Sequence, residues 1–539
     1  EIEFPEVFDR DNPGFDYFVG NPPFMGGRYI SMNSGARYLE HLIACMPETS
    51  GGLDLVGFFF RRAFSLLRSA ASFGLIATQT ISKGDTRAGS LRWICKNGGQ
   101  IYSATRHLKW PGKASVIIST VHIAKALNVR NVMLDDVPTP RISAFLFHVG
   151  PDDDPKRLIA SKSLCFQGNI VLGTGFTFDD SEPGATPVAE AERLLQASPR
   201  NSSRIKPFIG GREVNDSPRH EFSRYVIDFE ELPEAEASQW PDLLSILRLK
   251  VLPERSTKDA KKYPRMVHEW WKFWNRRSEL YRATQGLSRV LVTSLVTKHF
   301  NFCFIPASWI ISHKLAAFSL DTFASFGIIQ SSVHDLWARM FSSSHGDGLN
   351  YSPSDCFETF PFPRDWQQNP ALELAGKLYY EFRADLMVRN NEGLTSTYNR
   401  FHDPDELSPD LLKLRELHAE MDHAVLTAYG WTDLAERATC EFRLDYEDDD
   451  APADDDAPRA RAKKKPWRYR WPQDFHDEVL ARLLDLNQQR ATEERLAAPT
   501  TKPTKPGTKT QKKTAKKASK RPSKATGPTQ TALLPPDED

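Results

Sequence analysis

The sequence predicts an α/β protein. A three-layer sheet is expected over residues 1–125, a mixed α/β region over 126–365 and a helical region over 366–445. A charged linker with a short helix follows at 446–499, then a Lys-rich tail at 500–539. Three observations predict this order. Apolar runs of strand length alternate with runs of helical spacing through the first 125 residues, the pattern of a sheet covered by helices. Residues 370–445 carry helical periodicity, with 411–428 strongly amphipathic. Residues 500–526 hold ten Lys or Arg and no acid, so they lack apolar surface to bury and are expected to be disordered.

Taken in order, Phe15–Gly20 reads as a buried strand closing in a tight turn at Asn21-Pro22-Pro23-Phe24. Residues 38–45 read as a helix, 47–52 as a break and 54–67 as a second helix. The strand at 73–78 comes next, and the alternation continues through 91–94 and 100–104 to a β-rich run at 116–123. Pro138, Pro140 and the acidic Asp152-Asp153-Asp154 mark a change of character. Residues 289–311 read as strands and 315–326 as a helix. Seven acids between 447 and 456 then meet seven bases between 459 and 470, and 474–496 reads as the short helix.

Lys plus Arg equals Asp plus Glu at 70 each, so net charge points neither toward nor away from nucleic acid. The six cysteines lie far apart with no Cys-x-x-Cys pair, which indicates neither a metal site nor a disulfide framework and fits a reducing cytoplasm. No signal peptide or apolar run of membrane-spanning length is present, so no membrane partner is expected. The first residue is Glu and 20 residues precede the Asn-Pro-Pro-Phe turn, which reads as the later part of a longer catalytic domain.

That turn carries the chemistry. Asn21 offers an acceptor oxygen and two N–H donors at a strand end. Pro22 and Pro23 fix φ and remove two backbone N–H groups, which leaves a rigid turn with free carbonyls. Phe24 adds an aromatic face. Acceptors for amino hydrogens beside a stacking face make a socket for a flat, amine-bearing ring, and enzymes that act on a DNA base extrude it into such a pocket. The same residues also suit a plain turn in which Asn caps and Phe packs.

Asn21-Pro22-Pro23-Phe24 resembles motif IV, Asn/Asp/Ser-Pro-Pro-Tyr/Phe, of the amino-methylating DNA methyltransferases. The wider stretch Glu3-Phe4-Pro5-Glu6-Val7-Phe8, Gly14-Phe15-Asp16 and Gly20 to Gly27 is similar to the large adenine-specific methyltransferases of restriction-modification and phage-defence systems, including the DISARM type. Residues 54–67 resemble motif V, 73–80 motif VI, and 102–122, with Trp110-Pro111-Gly112-Lys113-Ala114, motif VIII. The likeness continues through 163–178, Phe208-Ile209-Gly210-Gly211 and 224–229, the family's target-recognition region. His334-Asp335-Leu336-Trp337 and 356–363 match its end, and Ala428-Tyr429-Gly430-Trp431 the C-terminal region.

The resemblance implies a partial Rossmann-like sheet, S-adenosyl-L-methionine as cofactor, double-stranded DNA as partner and methylation of the N6 amine of adenine. Asn21 and the Pro22 carbonyl are implied to accept from that amine, with Pro23 completing the turn and Phe24 stacking on the base. Asp54 and Phe59 are implied at the cofactor, Phe59 in the place of the aromatic lining its adenine pocket. Phe58, Phe59 and Phe60 also read as plain core. The family's glycine-rich cofactor loop normally precedes motif IV and has no counterpart before Asn21. Gly173-Thr174-Gly175 continues into Thr177-Phe178-Asp179-Asp180 rather than a helix, so it does not replace that loop. Half a catalytic sheet is expected, with a separate N-terminal half or defence-system subunits as partners.

Two basic stretches are candidates for DNA. Residues 261–277 interleave bases with aromatics, and Lys272, Arg276 and Arg277 are placed to hold phosphates beside stacking rings. An amphipathic helix with core tryptophans and a solvated basic face fits the same pattern. In the tail, Lys512, Lys513, Lys516 and Lys517 suit loose, salt-sensitive DNA binding, or mere solubility. Ser82 to Arg87 follow a strand's carboxyl end, where open α/β sheets place ligands; a helix cap at Asp85 is the alternative. His334-Asp335 has no partner cluster and reads as structural. Two other function classes fit: a non-catalytic DNA-specificity fragment that needs a separate cofactor-binding chain, and a methyltransferase acting on RNA or a protein amide.

Overall fold

A computed structural model describes residues 3–110, 117–345, 348–444 and 467–497. Pro111 to Ala114, the acidic run and most of the basic run after it, and Lys512, Lys513, Lys516 and Lys517 lie outside the described residues.

The first sheet has six strands: β1 (Phe15–Gly20), β2 (Leu67–Thr78), β3 (Gly99–Lys109), β4 (Ile117–Lys125), β5 (Met133–Leu134) and β6 (Val137–Pro138). Their order is β1-β2-β4-β3-β5-β6. β1 pairs with β2 in parallel, β4 runs antiparallel between β2 and β3, β3 and β5 are parallel, and β6 is antiparallel to β5. The carboxyl ends of β1, β2 and β3 therefore face one edge, and the Asn21 turn sits on it.

A parallel β1–β2 pair needs a crossover, and the Leu55–Leu66 helix supplies it. Its Val56, Phe60, Ala63 and Phe64 pack on Phe73, Leu75 and Ala77 of β2 and on Val121 and Ile123 of β4. These strand residues are the alternate ones, as pleating requires. The opposite face is thinly covered. Tyr17 is 74% and Val19 93% exposed, while Gly74 and His122 beside them are half-buried. β1 was expected to be buried, but it forms the sheet's edge and buries only part of one face. An apolar run shows that a strand is sticky, not that both its faces are covered.

Two four-stranded sheets follow. One is ordered Ile310–Ile311, Ile205–Ile209, Arg224–Ile227, Thr177–Phe178. The other is ordered Cys303–Pro306, Arg289–Ser294, Leu315–Phe318, Cys165–Gln167. Leu315–Phe318 corrects the helix expected at 315–326. All four of its residues are buried between two antiparallel neighbours, and the helix begins only at Phe323, where the Thr322 hydroxyl accepts from Ser325 N–H. Two-sided pairing overrides the helical preference of Leu-Ala-Ala.

The Phe323–Gln330, Pro370–Asn390 and Pro409–Ala428 helices pack behind the second of these sheets. The helix expected at 474–496 spans Gln473–Ala497 and, rather than standing apart as a short appendage, belongs to the core. Phe475, Val479, Leu480, Leu483 and Leu484 are buried with Phe145, Phe147 and Trp337. Asn487 accepts from Lys156 N–H at 2.8 Å and donates to the Thr359 carbonyl at 2.6 Å.

Candidate active site

Asn21 leaves β1 at the carboxyl edge with its side chain exposed and no hydrogen-bond partner among the described residues. Pro22 is buried, Pro23 exposed, and Phe24 half-buried against the cluster beneath the sheet. The turn is held from behind. Met25 N–H donates to Asp54 Oδ1 at 3.1 Å, and Leu55 N–H donates to the Met25 carbonyl at 2.8 Å. The same Oδ1 accepts from Val56 N–H at 3.0 Å, capping the crossover helix, while Asp54 N–H donates to Thr86 Oγ1 at 3.2 Å. Asp54 thus fastens the turn, the helix and the segment after β2 together. Burial pushes its carboxyl up, against the pull of the two backbone donors. Its described contacts lie within the fold, where it positions the turn that carries Asn21.

Gly27 belongs to the same fastening. A Cβ there would lie 2.0 Å from the Gly51 carbonyl oxygen, so only glycine lets the two loops cross. Of the three consecutive phenylalanines, Phe58 is 2% and Phe60 0% exposed, whereas Phe59 is 44% exposed. The core reading holds for two of them, and Phe59 alone keeps a face for a ligand.

Asp85 accepts from Ser50 Oγ at 2.7 Å and so ties the 47–52 loop to the segment after β2. Arg87 lies buried, with its guanidinium 3.8 Å from the Phe145 ring centroid and its Nη1 donating to the Asp152 carbonyl at 2.6 Å. Sequence reasoning missed the acidic loop's role. Asp154 pairs with Arg87 and Arg92, Asp153 with Lys96 and Asp152 with Arg141. The signal was available as three successive acids against a run of bases at 87–96.

In the 261–277 stretch Lys261 and Lys262 are exposed, while the part that carries Lys272 folds inward. Trp270, Trp271 and Phe273 are buried with Phe176, Phe178 and Val226. Lys272, its side chain 7% exposed, pairs with Glu269. Arg276 donates to the buried Asp228 at 3.1 Å and covers the Tyr281 ring. Arg277 donates to Gln167 at 3.0 Å. These contacts engage the three cations within the fold; of the aromatics, Trp270, Trp271 and Phe273 form core, while Tyr263 and Trp274 stay half-buried. His334 is fully buried, its Nε2 3.0 Å from the Tyr351 hydroxyl. Gly173-Thr174-Gly175 opens a 3-10 turn followed by a two-residue strand, not a helix. Among the described residues no cluster of His, Cys, Asp or Glu could hold a metal, and no helix is long and apolar enough to cross a membrane.

Residues 3–133 match the family model of the MmeI DNA-methyltransferase domain, and residues 172–364 that of the MmeI target recognition domain. No curated protein matches the chain. Among solved structures, that of the Type IIL restriction-modification enzyme MmeI in complex with DNA aligns with a TM-score of 0.54 at 19% identity, over 88% of this chain and 57% of that one. The type IIG restriction endonuclease BpuSI aligns with a TM-score of 0.29 at 11% identity, over 77% and 54%. The chain therefore spans little more than half the length of the MmeI chain, and the first likeness establishes a shared fold.

Proposed function

We propose that this chain, a large restriction-modification-type methyltransferase with an MmeI-type target recognition domain, methylates the N6 amine of adenine in double-stranded DNA. The observation that carries the reading is the free Asn21 carboxamide at the carboxyl edge of the sheet, on a turn fastened through Asp54. Asn21 Oδ1 and the Pro22 carbonyl accept from the amine of an extruded adenine and aim the nitrogen lone pair. Phe24, with one side packed on the core, gives the base a face to stack on. Attack before deprotonation needs no strong base, which suits a turn without His or Glu.

S-adenosyl-L-methionine, when bound, supplies the methyl group. Phe59 offers one wall for its adenine, and the turn at Gly173 does not furnish the opposite one. That wall is assigned to sequence outside the described residues, or to a separate N-terminal half or defence-system subunit. The same observation favours a second reading, a DNA-specificity fragment that is inactive without that partner. In either case the role is host modification or phage defence in the cytoplasm. Lys512, Lys513, Lys516 and Lys517 supply loose contact to DNA phosphates.

The test is Asn21→Ala, assayed for methyl transfer and for DNA binding with the cofactor half supplied. Methylation is expected to vanish while DNA binding stays nearly unchanged. A normal rate of N6-methyladenine formation in the variant overturns the assignment.

A further inference from the structure

A pocket of about 520 Å³ opens where the Pro409–Ala428 helix ends against the Gln473–Ala497 helix. Tyr429, Trp431, Arg364, Arg482 and Arg490 line it. None belongs to the methyltransferase sheet, and apart from Arg364 all lie beyond the target recognition match. Its volume falls in the range of small-ligand sites.

Two features make it a built pocket. Gly430, at φ +79°, reverses the chain so that Tyr429 and Trp431 stack with centroids 4.5 Å apart and planes 13° from parallel. The Tyr429 hydroxyl locks its ring by donating to the Pro361 carbonyl at 2.9 Å. An aromatic wall is therefore preformed. The second feature is charge. Arg482 is spent on Asp433 and Glu478, whereas the largely exposed Arg364 gives only its Nη2 to Glu493, at 2.7 and 2.9 Å. Arg490 has no carboxylate within ion-pair reach among the described residues, and its buried Nε has no hydrogen-bond partner. Burial lowers its pKa, and so does the repulsion of Arg364 beside it, against the weaker pull of Glu493, Tyr429 and Asp365. A half-buried guanidinium with no direct carboxylate contact and an unsatisfied Nε is costly, and its fork matches a phosphate.

We infer that this pocket binds a nucleotide, its ring on the Tyr429–Trp431 wall and its phosphate on Arg490 and Arg364. A bare anion would leave the aromatic wall unused, and a bare ring would leave Arg490 unpaired. Base stacking on aromatics tolerates any base, so the site selects a nucleotide without selecting its identity. The source is a free nucleotide or an unpaired nucleotide of a DNA strand.

Equilibrium titration of the full chain in the Asn21→Ala background keeps the base socket at β1 out of the measurement. The probes are dAMP, deoxyadenosine, inorganic phosphate and a short single-stranded oligonucleotide. Saturable dAMP binding is expected, with deoxyadenosine weaker by about tenfold or more, the scale of one charge-assisted contact. Arg490→Gln and Arg364→Gln should each weaken dAMP by a similar factor. Arg364 is largely exposed, so the second variant tests the site without risk to folding. Competition by the oligonucleotide identifies a DNA strand as the source, and its absence a free nucleotide. No saturable dAMP binding in the millimolar range, or binding unaltered in Arg364→Gln, overturns the inference.

Discussion

Arg106 and Asp477 stand 371 residues apart and form a buried ion pair, their side chains 6% and 2% exposed. Arg106 lies on β3, and it also pairs with Asp135 at 2.7 Å and donates to the Leu146 carbonyl at 2.9 Å. Burial pushes the Asp477 carboxyl up, but the Arg106 charge, His476 and the hydrogen bonds from both together outweigh it and hold the carboxyl below its ordinary range.

Removing one partner of such a pair leaves the other charge stranded. Asp477→Asn is expected to destabilise the fold by about 3 kcal/mol, the lower end for a buried pair because Asp135 remains. Denaturant unfolding measures it. Arg106→Met combined with Asp477→Leu should recover most of the loss, and an unchanged midpoint in Asp477→Asn would sink the idea.

Asp54 gives a second expectation. Asp54→Ala removes the acceptor for both Met25 and Val56 N–H, a loss of roughly 1–2 kcal/mol for a helix cap. Methyl transfer should fall further than stability, because the turn that carries Asn21 loses its anchor. Asp54→Asn keeps an oxygen in place and should restore most of both. If Asp54→Ala methylates at the normal rate, the turn does not depend on this anchor.

His334 makes stability depend on pH. Burial lowers its pKa to about 3, so it is neutral in the fold. Its contribution is complete above the unfolded value near pH 6.5 and is lost as the pH falls toward the folded value. By pH 5 the loss from this group is about 2 kcal/mol. Unfolding free energy measured between pH 6.5 and 5 should fall with decreasing pH, and less steeply in His334→Leu. Equal slopes in the two proteins would mean that His334 does not contribute.

How much of this was legible beforehand depended on the kind of signal. The Asn21 turn, the crossover helix and the β2 to β4 succession stand where periodicity and motif order put them. Side-chain partners did not follow from pattern. Lys272 and Arg276 look like phosphate contacts until Glu269 and Asp228 are brought beside them by the fold. Periodicity alone could not tell Phe59 from Phe58 and Phe60, because three successive aromatics carry no phase; the family resemblance singled it out. The reach of the Gln473–Ala497 helix was hidden as well, since Asp477 finds Arg106 only through long-range packing.

The tail yields a prediction from composition alone. Deleting residues 500–539 should weaken DNA binding and flatten its salt dependence without changing the sequence modified, because phosphate contacts carry affinity and no sequence information. An unchanged salt slope would leave the tail without a part in binding.

The Gln473–Ala497 helix also sets when the protein can mature during synthesis. Its Phe475 and Val479 fill the same cluster as Phe145 and Trp337, and its Asp477 supplies a carboxylate to β3. A nascent chain whose β3 has already emerged must keep those apolar and charged surfaces waiting until the Gln473–Ala497 helix has left the ribosome. Contacts at such sequence separation form late and slowly, so the emerging polypeptide is most exposed to chaperones and proteases just before this helix arrives.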